Sequence, residues 1–237
     1  MTNIAFRPLV SREALISEAA QQIASHLKED VSINGKASMF LSGGSTPGPV
    51  YSALSMESLP WDKVTIGLVD ERWVDEDDTG SNAALVKRTL LIGPAKKAHF
   101  VPMKTEHRSP ELGQKTVESA YKRILRPNSM AVLGMGIDGH ICSWFPEAEG
   151  LAQALSLNCN AVVQAIKAKP STTTGKYLDR MTLTYSAIKT CKSVLLLITG
   201  DEKRAVLERA FELRKSHLPV AKLIGLDQSR LTILYAP

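Results

Sequence analysis

The chain has 237 residues, 44% of them hydrophobic, enough to fill one large α/β core without calling for a second domain. Its formal net charge of +5 comes from basic residues interleaved with acids, with no basic block or aromatic-basic ladder; this argues against a nucleic-acid partner and suits a small anionic substrate. Three widely spaced cysteines, Cys142, Cys159 and Cys191, form no Cys-x-x-Cys pair and are too few for a disulfide scaffold or a thiolate zinc site, and no apolar run approaches the roughly 20 residues needed to cross a bilayer.

Arg7, Arg12, Glu13 and Glu18 interrupt every apolar window near the start, so no secretory signal is expected and the chain reads as a cytoplasmic protein with reduced thiols. Helical periodicity over 12–28 is followed by a strand-like run at 37–41, and that run ends in Ser42-Gly43-Gly44-Ser45-Thr46-Pro47-Gly48 before a helix over 49–56. Gly43 and Gly44 let backbone N–H groups approach an anion, Ser45 and Thr46 add hydroxyl donors, and the helix start favours negative charge. The loop has neither the Gly-Lys-Ser/Thr ending of a nucleotide P-loop nor the Gly-x-Gly-x-x-Gly dinucleotide pattern, so a small phosphate fits it better than a nucleotide. Taken alone, it also reads as an ordinary strand-to-helix turn with hydroxyl caps.

The next strand, 64–69, runs into Asp70-Glu71-Arg72-Trp73, and a helix over 82–91 follows. Charges this close to the end of a buried strand are costly unless paired or used. Arg72 offers a planar fork to an oxyanion or a phosphate, with Asp70 or Glu71 to hold it; an ordinary surface Arg-carboxylate pair is the plainer alternative. After a helix over 110–125, the strand 129–133 enters Gly134-Met135-Gly136-Ile137-Asp138-Gly139-His140. His140 can accept and return a proton near neutral pH, and Asp138 can fix its tautomer. His26, His99, His107 and His217 lack such punctuation and read as bystanders, and the absence of a second histidine or cysteine at zinc-like spacing from His140 argues against a metal.

A strand over 161–166, a polar hinge-like stretch over 169–176 (KPSTTTGK), a strand over 193–199 and a helix over 202–214 complete the pattern. Strands alternating with helices predict an α/β fold, Rossmann-like, with one mainly parallel sheet flanked by helices in a single domain spanning 1–237.

Three segments in this order (LSGGSTP, DERWV followed by Ser81-Asn82, and LGMGIDGH with Phe145-Pro146 shortly after) resemble the glucosamine-6-phosphate isomerase/6-phosphogluconolactonase family. The likeness continues through Arg180-Met181-Thr182-Leu183-Thr184 and Gly200-Asp201-Glu202-Lys203, so by motif it covers about residues 37 to 203. Within the family the chain is similar to the lactonases: Arg72 follows Asp70-Glu71, and Phe145 stands before Pro146 where deaminases carry a glutamate. Ile141 is closer to the deaminase pattern but brings no catalytic group. Cys142, Ser143 and Trp144 replace the commoner Ala-Ser-Leu, Trp73 follows the Asp-Glu-Arg unit, and the tail lacks an acidic end.

The resemblance implies hydrolysis of a 6-phosphoglucono-lactone in the oxidative pentose phosphate pathway, by a cytoplasmic monomer or small homo-oligomer that needs no cofactor, metal, membrane or nucleic acid. His140 would then be the general base, Asp138 its orienting partner and Arg72 the oxyanion stabiliser. The phosphate would meet Gly43, Gly44, Ser45 and Thr46 together with Arg180 and Lys203. Without the resemblance, Arg180 and Lys203 read as exposed charges. A deaminase/isomerase, or a non-catalytic sugar-phosphate sensor, are the alternatives; no helix-turn-helix or other output module is visible to support the latter.

Overall fold

A computed structural model describes residues 5–212 and 217–237. In chain order the strands are β1 (Ala5–Pro8), β2 (Ala37–Leu41), β3 (Val64–Leu68), β4 (Asp70–Arg72), β5 (His99–Phe100), β6 (Met130–Gly134), β7 (Val163–Lys167), β8 (Asp179–Leu183), β9 (Ser193–Thr199) and β10 (Leu231–Ala236). The α-helices are α1 (Arg12–Asn34), α2 (Pro47–Ser55), α3 (Asn82–Thr89), α4 (Pro110–Ile124), α5 (Leu151–Ala154), α6 (Tyr185–Thr190) and α7 (Asp201–Glu212).

Runs with no polar face cannot serve as half-solvated strands, and Ala37–Leu41 is buried at every position. It lies near the centre of a seven-stranded parallel sheet ordered β1-β10-β9-β6-β2-β3-β5. Burying each large aliphatic side chain there contributes about 1.5–3 kcal/mol. Helix α1 is capped by Ser11, whose Oγ accepts from the Ala14 N–H at 3.2 Å. It runs six residues past the predicted end at 28, because Leu27 and Val31 continue the buried stripe until Gly35 terminates it with φ 72°.

Val69 turns the chain from one sheet to another. Its N–H donates to Leu41 O at 2.9 Å in the parallel sheet, and its C=O accepts from the Leu183 N–H at 2.8 Å in a second sheet. That second sheet is antiparallel, ordered β4-β8-β7. The expected strand at 161–166 is therefore present, shifted to Val163–Lys167, but belongs to this small antiparallel sheet and not to the parallel one. An apolar run records burial and carries no information about which neighbour it pairs with. The predicted helix over 202–214 begins at Asp201 and is described through Glu212; residues 213 and 214 lie outside the described residues.

Candidate active site

The loops after β2, β3, β6 and β9 leave the same, C-terminal, end of the parallel sheet. The cleft lies where β2 and β6 adjoin, with β3 running on in one direction and β9 and β10 in the other. That reversal is where ligands gather in open α/β sheets.

The glycine loop forms one wall. The N–H groups of Gly43, Gly44, Ser45 and Thr46 have no hydrogen-bond partner among the described residues, and α2 begins immediately behind them at Pro47. Thr46 does not spend its hydroxyl on capping α2; its Oγ1 shares a 3.2 Å hydrogen bond with Thr199 at the end of β9. The capped-turn alternative therefore fails at Thr46. Gly43 has no room for a side chain: a Cβ there would lie 1.9 Å from Asn82 Oδ1. The Ser42 hydroxyl, buried at the root of the loop, has no partner among the described residues.

The turn after β6 forms the opposing wall. Met135 bridges Ile141, the Gly136 N–H donates to His140 O at 3.0 Å, and Gly139 takes φ 76° to close the reversal. Asp138 Oδ1 accepts both the His140 backbone N–H, at 3.2 Å, and His140 Nδ1, at 2.6 Å. Burial works against ionisation of Asp138, but the hydrogen bonds and charge of His140 outweigh it and hold the carboxyl below its usual value. An ionised Asp138 assigns the proton to Nδ1 and leaves Nε2, which has no partner among the described residues, as the free acceptor. His140 lines the cleft; Asp138 sits behind it.

Alternation along β4 decides the fate of the charged triplet. Asp70 and Arg72 face the cleft, while Glu71 points the other way and is fully buried. Its carboxylate accepts the N–H groups of Arg72, Asn82 and Ala83, each at 2.8 Å, fastening β4 to the first turn of α3. Burial nevertheless pushes its pKa up to about 7. Neither acid pairs with the Arg72 guanidinium, contrary to the expectation that Asp70 or Glu71 would hold it. Arg72 Nη1 donates instead to Gly80 O at 2.5 Å, and its buried Nε has no partner among the described residues. Asp70 accepts from Ser143 Oγ at 2.6 Å and has Arg180 Nη1 at 3.9 Å.

Arg72 and Arg180 are directly paired across β4 and β8. Like charges in that position repel, a cost that a bound anion would relieve. Arg180 is 3% exposed, so the exposed-charge alternative does not hold for it. Its Nε donates to Tyr177 O at 2.8 Å, one Nη to Thr174 O at 3.2 Å, and burial pushes its pKa down to about 10 despite the opposing charge of Asp70. Lys203, in the first turn of α7, is half-buried in the cleft, and burial lowers its pKa. Cys142 also lines the cleft at φ 52°, but burial raises its thiol well above the usual value, which keeps it protonated.

All of the expected site residues thus come to one cleft or stand directly behind it. Among the further residues at the cleft that sequence reasoning did not assign are Asn82, Thr173 and Phe145. Asn82 holds Asp70 O at 2.9 Å and packs on Gly43; Thr173 comes from the hinge-like stretch; Phe145 lies with its ring centroid 4.2 Å from that of His140 and 4.7 Å from Arg180 Cζ. The only signals for Asn82 and Phe145 were their places in the Ser-Asn and Phe-Pro pairs, and Thr173 carried none.

A family model described as glucosamine-6-phosphate isomerases/6-phosphogluconolactonase matches residues 10–233. The 6-phosphogluconolactonase of Caulobacter vibrioides is 35% identical over 235 residues, covering 99% of this chain and 98% of its own. That of Xylella fastidiosa is 37% identical over 216 residues, covering 90% and 88%. The crystal structure of a 6-phosphogluconolactonase from Shewanella baltica superposes with a TM-score of 0.92 at 35% identity, covering 99% of this chain and 98% of that one. The chain belongs to the glucosamine-6-phosphate isomerase/6-phosphogluconolactonase family.

Proposed function

We propose that the protein hydrolyses 6-phospho-D-glucono-1,5-lactone to 6-phosphogluconate, the lactonase step of the oxidative pentose phosphate pathway. The observation that carries this reading is that a single cleft combines the four amides at 43–46, without partners among the described residues, with the His140–Asp138 pair. The amides, Arg180 and Lys203 supply donors and charge for the phosphate. At the other end, His140 Nε2 takes a proton from water as the water oxygen attacks C1, while Nδ1–H stays on Asp138. Arg72 stabilises the negative charge that develops on the carbonyl oxygen. The C1–ring-oxygen bond then breaks, His140 returns its proton to the departing oxygen, and the new carboxylic acid ionises. These side chains account for each proton, and Cys142, held protonated, is not needed as a nucleophile. A cytoplasmic enzyme, monomeric or a small homo-oligomer, acting on a small molecule rather than nucleic acid and without a resident cofactor, is part of the same proposal.

The test is acid release from freshly generated lactone, measured above the spontaneous rate, with ammonia release from glucosamine 6-phosphate followed in parallel. Lactone hydrolysis without ammonia is expected. Ammonia release with no acceleration of lactone hydrolysis would move the protein to the deaminase branch.

A further inference from the structure

The polar stretch 169–176 and the residue that follows it, Tyr177, are not used by the chemistry above, yet they touch both arginines of the cleft. The Tyr177 ring lies against Gly80, where a Cβ would meet Cζ at 2.4 Å, and the Arg72 guanidinium carbon sits 5.8 Å from the ring centroid. Its hydroxyl donates to Asp78 Oδ1 at 2.5 Å, and the same oxygen accepts the Gly80 N–H at 2.7 Å. The Gly80 carbonyl in turn holds Arg72 Nη1. On its main-chain side, Tyr177 O accepts Arg180 Nε at 2.8 Å. Because Arg72 and Arg180 face each other in the β4–β8 register, their guanidiniums would move apart unless something held each in place.

We propose that Tyr177 is a positioning residue that holds Arg72 in the reactive orientation: its side chain braces the Gly80 residue whose carbonyl holds Arg72 and places its ring beneath the guanidinium carbon, while its main chain holds Arg180. The inference rests on the lactonase reading for its kinetic consequences but not for its geometry. Arg72 is the group assigned to the developing oxyanion, so loss of the brace should appear in turnover. The phosphate end should be untouched, because the bond to Arg180 comes from a main-chain oxygen.

Three variants and one background test this. Tyr177→Leu is expected to lower kcat about tenfold, and Tyr177→Phe, which keeps the ring, by no more than about threefold, with KM and inhibition by inorganic phosphate within about twofold of the parent. Gly80→Ala, whose Cβ would displace the ring, should reproduce the Tyr177→Leu loss and stands in for it if that variant does not fold. In an Arg72→Lys background, which already lacks the planar fork, Tyr177→Leu should cost less than about twofold. Equal losses in the parent and Arg72→Lys backgrounds would overturn the proposal. Labelling with phenylglyoxal, read as loss of tryptic cleavage after Arg72, needs no turnover and so separates this inference from the lactonase reading. Faster labelling of Arg72 in Tyr177→Leu than in the parent and Tyr177→Phe is expected, and identical rates in all three would contradict the brace.

Discussion

At the scale of single residues, the packing around His140 leaves almost no freedom. A Cβ on Gly136 would lie 2.3 Å from His140 Cε1 and Nδ1 and 2.6 Å from Asp138 Oδ1. Gly136 has no positive φ, so alanine is compatible with its backbone, and the three atoms nearest its Cβ all belong to the imidazole–carboxylate pair. Gly136→Ala should therefore mimic the loss of the base. Both it and His140→Asn are expected to lower kcat by about a hundredfold or more, the scale of general-base catalysis, with a smaller effect on binding of 6-phosphogluconate. Near-normal steady-state turnover in either variant would remove His140 from the chemistry. The sequence showed this site unevenly. Histidine in a Gly-x-Gly-x-Asp-Gly-His turn is visible because turn chemistry and acid–base chemistry coincide over a few residues. The partner of Arg72 was not visible: strand alternation sends Glu71 to a helix, and the carbonyl that Arg72 uses belongs to Gly80, eight residues away. Main-chain acceptors leave no mark in side-chain identity.

At the scale of elements, the junction between β4 and α3 depends on one buried carboxylate. Glu71 has a pKa pushed up by burial to about 7 in the folded protein against an ordinary value of 4.5. Between those values the unfolded chain binds fewer protons than the folded one, so this group's contribution is fully present below pH 4.5 and is lost as pH rises through about 7. Glu71→Gln removes that titration but turns one donor-bearing atom toward the N–H groups of α3. The variant should be less stable than the parent at low pH, and its thermal midpoint should fall less between pH 5 and pH 8. Parallel declines in thermal scans would show that Glu71 does not titrate in this window. Strands β2 and β9 were predicted with the bounds they have, because both are buried, apolar and bounded by turn residues. Strand β4 has only three residues, two of them acidic, and exists through pairing with β8, so no local pattern announces it. Strand β10 is absent from the expected elements although Leu-Thr-Ile-Leu-Tyr-Ala is apolar enough for a strand. It sits inside the parallel sheet between β1 and β9.

At the scale of the whole molecule, the parallel sheet brings together loops that are up to about 160 residues apart in sequence, and the small antiparallel sheet adds Arg72 and Arg180 beside them. The central claim is that the two ends of this cleft act on one molecule: the amides with Arg180 and Lys203 hold a phosphate while His140 activates water at the lactone. Comparing kcat/KM for freshly prepared 6-phosphoglucono-1,5-lactone and for glucono-1,5-lactone without the phosphate tests it most directly. Each charge-assisted hydrogen bond to the phosphate is worth about 1.5–3 kcal/mol, so two or more of them predict a preference of at least about a hundredfold for the phosphorylated lactone. That preference should shrink in Arg180→Ala and in Lys203→Ala. Equal kcat/KM for the two lactones, or a preference unchanged in both variants, would contradict the account.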